Sequence, residues 1–160
     1  MLDEVSVRRA NEQDLEEVGR LAARLVRDHH EADPERFFMP EQVESGYAWW
    51  LGQELGNRGA VVMVAERGGR VVGYTYSALR ERDWNMLIDE HAMLHDIFVL
   101  ETERRGGIGR KLLTETLSAL EALGARRIVL NTRNGNEAAE CLFAALGFRR
   151  TMHEMMRTGR

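Results

Sequence analysis

The sequence predicts a mixed α/β fold in which helices and strands are built around one central sheet. Four segments place apolar residues at helical spacing, at 12–27, 42–55, 106–123 and 137–146. Two runs with the period of two that is typical of strands flank a Gly-Gly turn in the middle of the chain. Because three consecutive strands interrupt the helices, we expect a mixed sheet and not a strictly alternating, doubly wound one.

Length, charge and cysteine content exclude several classes of protein. With 160 residues, the chain predicts a single domain that spans 1–160. A net charge of -4 argues against a general nucleic-acid-binding protein. No apolar run approaches the ~20 residues of a membrane span, and no secretory signal is visible before the first strand. Cys141 is the one cysteine, so an intramolecular disulfide is excluded and a reducing, cytoplasmic location is expected.

The N-terminal part of the chain predicts one strand and two helices. Residues 5–9 alternate briefly between apolar and polar, which is typical of a short strand. Asn11 is placed to cap the helix that follows, and Asp14 adds negative charge to its first turn. Helical periodicity is lost in residues 28–40, which hold both prolines, before a second helix that ends near Gly56.

The middle of the chain predicts three strands. The runs 60–66 and 71–79 are joined by a hairpin turn at 67–70. A charged loop is expected over 80–90, followed by a third strand at 93–100. Strict alternation along this third strand sorts its residues into two faces. One face carries Met93, His95, Ile97 and Val99, and the other carries Leu94, Asp96 and Phe98.

The C-terminal part predicts two more helices with strands between and after them. The helix at 106–123 should end at Gly124, a residue type that commonly terminates helices. The apolar run 128–130 predicts a buried strand, and after the helix at 137–146 the segment 148–158 is expected to be mostly extended. The predicted order of elements is therefore β-α-α-β-β-β-α-β-α-β.

A glycine-rich turn at the start of the third helix predicts an anion-binding site. Its glycines let the backbone turn tightly and approach a ligand, because no Cβ intervenes. The first amides of a helix have no internal partner, and the helix dipole adds partial positive charge. Basic side chains lie at the same end, which makes a pyrophosphate the natural occupant. The residues of this turn are Arg104, Arg105, Gly106, Gly107, Ile108, Gly109, Arg110 and Lys111.

The spacing within this turn excludes two common phosphate-binding motifs. A Walker loop requires Ser or Thr after its lysine, whereas Lys111 is followed by Leu112. The dinucleotide fingerprint G-x-G-x-x-G fails as well, because Leu112 stands where its third glycine is required. A glycine-rich connection with solvated arginines is the alternative that this fragment alone leaves open.

The same turn resembles the signature of the GNAT superfamily of acyl-CoA-dependent N-acyltransferases. The family pattern is Arg or Gln, two residues, Gly, one residue, then Gly or Ala, and residues 104–109 match it. The resemblance continues in order along the whole chain. The other segments that carry it are Arg8-x-Ala10-x-x-x-Asp14, 71–74, 136–139, Leu142-Phe143 and Gly147-Phe148. The resemblance implies a sheet of about six to seven strands with about four helices.

The resemblance also implies acetyl-CoA as the co-substrate, with no metal. The strand before the turn would pair with the pantetheine arm as if the arm were an added strand, through the main chain of Ile97, Phe98 and Val99. The amides of residues 105–110 would hold the pyrophosphate, and the side chain of Asn136 would reach the cofactor arm. Phe143 belongs to the same cofactor-binding set, at a position where many members carry a tyrosine near the sulfur.

Two polar residues on the strand before the turn are the candidates for catalysis. His95, with an ordinary pKa of ~6.5, suits a general base or a water-holding group near neutral pH. Its position also matches one where members of the family often carry Glu or His. Asp96 is the candidate for binding the substrate ammonium or assisting the base. The alternative for His95 is a polar residue that only lines the cleft.

Position 143 departs from the family pattern, because Phe143 cannot donate a proton to the departing thiolate. Water could supply this proton, since a thiol with a pKa of ~8.5 is a tolerable leaving group. Cys141 could substitute, although a separation of two residues along a helix usually points it elsewhere. A domain that binds CoA without efficient catalysis is the third interpretation.

Together these features predict a single-domain N-acetyltransferase that transfers an acetyl group directly from acetyl-CoA to a primary amine. A small-molecule amine is the favoured acceptor, because residues 94–99 also resemble the corresponding strand of polyamine and related small-amine acetyltransferases. A protein N-terminus or lysine is the alternative acceptor. A catalytically silent CoA-binding or regulatory module and a nucleotide-phosphate protein also stay open. The resemblance and the apolar run 152–156 suggest a homodimer, with no nucleic-acid or membrane partner.

Overall fold

The computed structural model describes residues 4–159 and arranges them around a five-stranded mixed sheet. The strands are Ser6–Arg9 (β1), Ala60–Arg67 (β2), Arg70–Arg80 (β3), His91–Val99 (β4) and Ile128–Leu130 (β5). The helices are Leu15–Ala32 (α1), Val43–Glu54 (α2), Ile108–Ala122 (α3) and Glu137–Ala145 (α4). The strands lie in chain order, with β1 to β4 antiparallel to one another and β5 parallel to β4. The predicted mixed α/β class is confirmed.

The described part of the chain has five strands, where the sequence predicted about six to seven. The expected last strand, in residues 148–158, forms no ladder with β5. Its apolar residues lack a period of two, and Met152 and Met155 are both exposed, so this segment has no apolar face to bury. Its side chains instead reach the connection between α1 and α2, through the ion pair of Arg36 with Glu154.

An ion-paired arginine joins the first strand, the start of the first helix and the second strand. Arg8 on β1 donates to both carboxylate oxygens of Asp14, at 2.7 and 2.9 Å, and to Glu66 on β2 at 2.7 Å. Asp14 also accepts from the main-chain N–H of Asn11 at 2.8 Å, which completes a capping box around a short 3-10 turn. Because of this turn, α1 begins at Leu15, slightly later than predicted. The Arg8 guanidinium holds the pKa of Asp14 below its usual range.

The two faces of β3 pack against different helices. Tyr76 faces α2, where its ring lies 4.7 Å from that of Trp50. On the opposite face, Thr75 and Thr116 of α3 form a buried hydrogen bond of 2.7 Å. Thr116 donates its own proton to the Leu112 carbonyl at 2.8 Å, so Thr75 is the donor within the pair. Alternation along one strand thus sorts the core into two layers.

Apolar side chains fill both layers. Val18 and Leu21 of α1, and Leu112 and Leu120 of α3, are buried against the sheet. A smaller cluster that joins β4, α3 and α4 consists of Leu94, Leu113 and Phe143. α1 and α3 therefore each bury one stripe and expose the rest. Of the helices in residues 4–159, none has the length and apolar character of a bilayer-spanning segment.

Asp14→Ala should lower the free energy of unfolding at pH 7 by about 1–3 kcal/mol, because it removes the partner of Arg8 and half of the capping box. The pKa of Asp14 is lowered in the folded protein, so its contribution is present above the unfolded pKa of ~3.9 and is lost as pH falls through the folded value. Urea titrations at several pH values measure both effects. Glu31→Ala, at an exposed position of α1, is the control. An equal loss in both variants would contradict this role.

Candidate active site

β4 and β5 separate soon after they begin to pair. Their register joins Ala92 to Ile128 and Leu94 to Leu130, and beyond Leu94 the described chain offers β4 no strand partner on this side. β4 itself continues to Val99. A cleft therefore opens along an edge whose main-chain groups can pair with an extended ligand. On this edge lie the predicted arm-pairing residues Ile97, Phe98 and Val99.

At the end of this edge the chain turns into α3 through an exposed glycine-rich loop. Arg105 and Gly107 adopt left-handed φ angles of 68° and 79°, a conformation that is unfavourable for a residue with a side chain. Gly107 is the N-cap of α3, and no side chain caps the helix. A Cβ added at Gly107 would meet nothing within 4 Å, so the surface of the loop is open. The loop thus has the exposed first-turn amides that an anion would need.

Small residues let α3 approach the sheet at this end. A Cβ at Gly73 of β3 would lie 2.8 Å from the Phe98 carbonyl oxygen and 3.0 Å from a methyl group of Leu112, closer than a side chain tolerates. A Cβ at Gly109 would lie 3.4 Å from Leu142 of α4. Gly73 therefore permits the close contact of α3 with β3 and β4 that positions the loop.

The four basic residues of the loop do not point the same way. Arg104 turns back to β4, where its Nε donates to the Val99 carbonyl at 2.9 Å and its guanidinium lies 5.5 Å from the centre of the Phe98 ring. Lys111 donates to a main-chain carbonyl just before β1. All four side chains are exposed, but within residues 4–159 Arg105 and Arg110 form no side-chain hydrogen bond or ion pair, unlike the other two. Arg105 and Arg110 are therefore placed to add charge at the loop surface, whereas Arg104 and Lys111 donate to main-chain carbonyls.

A β-bulge at His95 overturns the strict alternation predicted for β4. Ser77 pairs with Leu94 and Tyr76 pairs with Asp96, so His95 is an extra residue on its strand. Leu94 and Asp96 consequently lie on opposite faces. Asp96 and Phe98 share a face as predicted, whereas placing Leu94 with them is wrong. For the same reason the other predicted group is wrong, namely Met93, His95, Ile97 and Val99. The bulge places Asp96 on the face of Tyr76, next to His95.

His95 lies flat against Tyr76, with ring planes 18° apart and ring centres 5.2 Å apart. Its Nε2 is 3.0 Å from Nη2 of Arg80, the last residue of β3. Because a guanidinium can only donate, Nε2 is the acceptor, and the imidazole is neutral with its proton on Nδ1. Burial and the charge of Arg80 lower the pKa of His95, against an opposing effect of Glu54. The imidazole is thus neutral, but the lone pair on its Nε2 already accepts the hydrogen bond from Arg80.

Asp96 is partly buried beside two tyrosines. Tyr74, itself fully buried, donates to its Oδ2 at 3.0 Å. Burial raises the pKa of Asp96 to about 6, although the hydrogen bond from Tyr74 acts in the opposite direction. Burial and the charge of Asp96 raise the pKa of Tyr47, so the Tyr47 hydroxyl stays protonated. Asp96 is therefore a carboxyl group whose charge changes close to neutral pH.

Two charged side chains near His95, those of Glu54 and Arg80, were not predicted from the sequence. Glu54, at the end of α2, accepts from the Tyr76 hydroxyl at 2.6 Å. Arg80 was assigned to a charged loop, whereas it ends β3 and contacts the imidazole. One signal in the sequence could have found this environment. Tyr74 and Tyr76 stand two residues apart in a strand, so both hydroxyls had to find polar partners on one face.

The residues predicted on the crossover after β5 have different environments. Asn136 is the N-cap of α4, and its side chain makes no capping hydrogen bond, so the helix does not use its amide group. Phe143 is buried in the cluster with Leu94 and Leu113. Cys141 is exposed on another face of α4. Phe143 therefore anchors α4 to β4 and presents no proton donor to the cleft.

The fold and the loop define an α/β protein with a glycine-rich turn at the end of an open strand edge. The sequence model of the acetyltransferase (GNAT) family matches residues 23–148 of the chain. The matched range includes the cleft, His95 and the loop 104–109. The chain therefore belongs to the acetyltransferase (GNAT) family, and the resemblance noted in the sequence is confirmed.

Two similar proteins carry the names of N-acyltransferases. The L-amino acid N-acyltransferase MnaT of Escherichia coli is 29% identical over 107 residues, which are 66% of this chain and 59% of that protein. The D-amino-acid N-acetyltransferase HPA3 of Saccharomyces cerevisiae is 24% identical over 110 residues, 69% of this chain and 66% of that protein. Both matches thus span less than two thirds of the relative's own length.

Solved structures share the fold over nearly the whole chain. A tetramutant of the BH1408 protein from Bacillus halodurans has a TM-score of 0.81 at 23% identity, covering 96% of this chain and 99% of that one. AAC(6')-Iy in complex with the bisubstrate analogue CoA-S-monomethyl-acetylneamine has a TM-score of 0.73 at 20% identity, with coverages of 98% and 99%. At these identities the likeness shows the fold.

Tyr74→Phe should raise the pKa of Asp96 further above its value of about 6, because the mutation removes a hydrogen bond that stabilises the charged carboxylate. Isotope-edited NMR of the aspartate carboxyl groups follows this titration directly. Tyr76→Phe is the matched control, since its hydroxyl bonds Glu54 and the pKa of Asp96 should stay in place. A wild-type value near the ordinary ~3.9 would contradict the buried environment of this carboxyl.

Proposed function

We propose that this protein is an acetyl-CoA-dependent N-acetyltransferase for small primary amines. The observation that carries the proposal is one continuous edge: the open main chain of β4 connects His95 at one end to the loop 104–109 at the other. A ligand that reaches from a pyrophosphate in the loop to a thioester near His95 fits this edge. Membership of the family supports the same conclusion.

The residues along the edge fit acetyl-CoA. Left-handed turns at Arg105 and Gly107 leave the first amides of α3 exposed, as a pyrophosphate requires. The main chain of residues 97–99 would pair with the pantetheine arm, and the unused amide group of Asn136 would reach the same arm. Acetyl-CoA bound there supplies an acyl group activated as a thioester. The proposed reaction uses no metal.

His95 is the proposed base in a direct transfer that forms no covalent enzyme intermediate. Its Nε2 takes one proton from the acceptor ammonium, and the neutral amine then attacks the thioester carbonyl. The C–N bond forms, the C–S bond breaks, and the second amine proton reaches the thiolate through solvent. Phe143 has no proton to give, and Cys141 lies on another face of α4. Asp96, mostly ionised above its pKa of about 6, would attract the ammonium.

The names of similar proteins support a small-molecule acceptor. MnaT and HPA3 are named for L- and D-amino acids, and AAC(6')-Iy is an aminoglycoside N-acetyltransferase. A protein N-terminus or lysine is the alternative acceptor for this chain. A cytoplasmic location and a homodimer stay predictions.

Two observations favour a second function, CoA binding without efficient turnover. Phe143 offers no proton, and Arg80 occupies the lone pair of His95. A thiol-release assay with acetyl-CoA and a panel of primary amines separates the two functions. Release above the amine-free rate with any amine supports the transferase. Acetyl-CoA binding with no release on any amine supports the silent module, and protection from heat by ATP in preference to CoA supports a nucleotide-phosphate protein.

Gly107→Glu should abolish CoA binding, because it adds a negative charge to the loop and a Cβ at a left-handed position. We expect the Kd measured by calorimetry to rise about 100-fold or more. Gly124→Glu is the matched control, since Gly124 follows the far end of α3 with a left-handed φ of 93° and equally open surroundings. Equal loss of CoA binding in both variants would refute the loop as the pyrophosphate site.

His95→Ala should lower kcat about 100-fold or more, because it removes the proposed base, while the Kd for CoA stays nearly unchanged. The wild-type rate should fall as pH drops through the lowered pKa of His95, since the base must be neutral. His91→Ala, on the same strand with its ring bonded to the Asp89 carbonyl, is the control. Wild-type rates in His95→Ala at every pH would eliminate His95 as the base.

A further inference from the structure

Arg80 is a cation that contacts the proposed base and pairs with no carboxylate among residues 4–159. Arg8, Arg20 and Arg82 all pair with carboxylates. Arg80 is exposed, forms no ion pair within residues 4–159, and donates to the neutral imidazole of His95 at 3.0 Å. A guanidinium is planar and binds a carboxylate with two parallel hydrogen bonds. A hydrogen bond to a neutral ring nitrogen is weaker than this pair of bonds.

The surroundings of Arg80 hold the other groups that an amine carrying a carboxylate would need. Glu54 accepts from the hydroxyl of Tyr76 at 2.6 Å, and the Tyr76 ring supports His95. Trp50 packs on the same ring with its centre 4.7 Å away. A cation, a carboxylate and a neutral base therefore converge on one tyrosine, at the end of the cleft away from the phosphate loop.

We propose that Arg80 anchors a carboxylate on the acceptor amine, and that this carboxylate draws Arg80 away from His95 and frees Nε2 to take the proton. The inference rests on the proposed function and names its acceptor class: primary amines with a carboxylate close to the amine, of which α-amino acids are the simplest. Arg80 is then a specificity-determining and positioning residue, whereas His95 acts on the reacting atoms.

The covalent geometry of an α-amino acid suits this exchange. Its carboxylate and its amine are attached to the same carbon, so the amine comes close to whatever group the carboxylate displaces. On Arg80 the displaced group is Nε2 of His95, which lies one hydrogen bond away. Two charge-assisted bonds to a carboxylate replace one bond to a neutral nitrogen, so the exchange is favourable.

The exchange also changes the charge that His95 experiences. The ionisable groups on the side of His95 are Asp96 on its own strand, Arg80 and Tyr76 on β3, and Glu54 on α2. A carboxylate on Arg80 neutralises the cation that lowers the pKa of the imidazole, so His95 becomes a stronger base when such an acceptor is bound. The ammonium proton then passes to Nε2, and the remaining steps follow as for the proposed transfer.

Steady-state kinetics with matched acceptors test this inference. The full chain is assayed by thiol release with acetyl-CoA, using a panel of L- and D-amino acids and the corresponding carboxamides. The readout is the ratio of kcat/KM for each acid to that for its carboxamide, compared between wild type and variants so that intrinsic differences in amine reactivity cancel. The variants are Arg80→Gln, Arg80→Lys and the control Arg82→Gln, whose arginine pairs with Asp89.

Arg80→Gln should lower this ratio about 10- to 100-fold, the loss expected for a charged hydrogen-bonded contact, and mainly through KM for the acids. Arg80→Lys should restore part of the ratio, since it keeps the charge without the fork, and Arg82→Gln should leave it unchanged. With carboxamides, Arg80→Gln should move the acidic limb of the pH profile upward, because the cation that lowers the pKa of His95 is gone.

Two results overturn the inference and are distinct from each other. If Arg80→Gln leaves the ratio unchanged, or lowers kcat/KM equally for acids and carboxamides, then Arg80 does not bind a carboxylate and the acetyltransferase proposal still stands. If the wild type releases no thiol with any amine while it binds acetyl-CoA, then both the inference and the proposed function fail.

Discussion

The early end of pairing between β4 and β5 is the constraint on which the rest of the structure depends. Leu94 and Leu130 form the last pair, and the main chain of β4 continues beyond them with an open edge. Open backbone groups favour a partner, and a ligand with its own amides can provide one. The separation is stable because Leu113 of α3 and Phe143 of α4 fill the space behind it with a small core. The cleft is therefore a packed feature of the fold.

Two backbone irregularities turn this edge into a candidate site. At one end, left-handed Arg105 and Gly107 open the amides of α3. At the other, the bulge lets consecutive residues, His95 and Asp96, face the same side of the sheet, which strict alternation forbids. Burial then lowers the pKa of the histidine and raises that of the aspartate. The pKa values of the two neighbouring groups, which ordinarily differ by more than two units, therefore shift towards each other.

Much of the fold could be predicted from the sequence, because it depends on local periodicity. The segments 60–66 and 106–123 were placed within a few residues of β2 and α3. The glycine turn could be predicted for the same reason, since all its residues are adjacent in the chain. The bulge at His95 could not, because an extra residue in one strand is defined only by its partner strand. The proximity of Arg80 and Glu54 to His95 could not be predicted either, because they belong to separate elements. Glu54 accepts from Tyr76, and Arg80 donates to His95, whose ring lies on that of Tyr76.

The threonine pair between β3 and α3 has a consequence far from its own location. Inside an apolar layer, Thr75 donates a hydrogen bond to Thr116, which in turn donates to the Leu112 carbonyl. Turning α3 about its axis by one residue, ~100°, would separate them and leave the buried Thr75 hydroxyl without its acceptor, at a cost of about 1–3 kcal/mol, while Thr116 would keep its bond to the Leu112 carbonyl. The pair therefore fixes the rotation of α3 about its own axis, and with it the direction in which the amides at the N-terminus of the helix point. Replacing Thr75 by valine would remove this restraint without changing any residue of the loop 104–109 at the N-terminus of the helix.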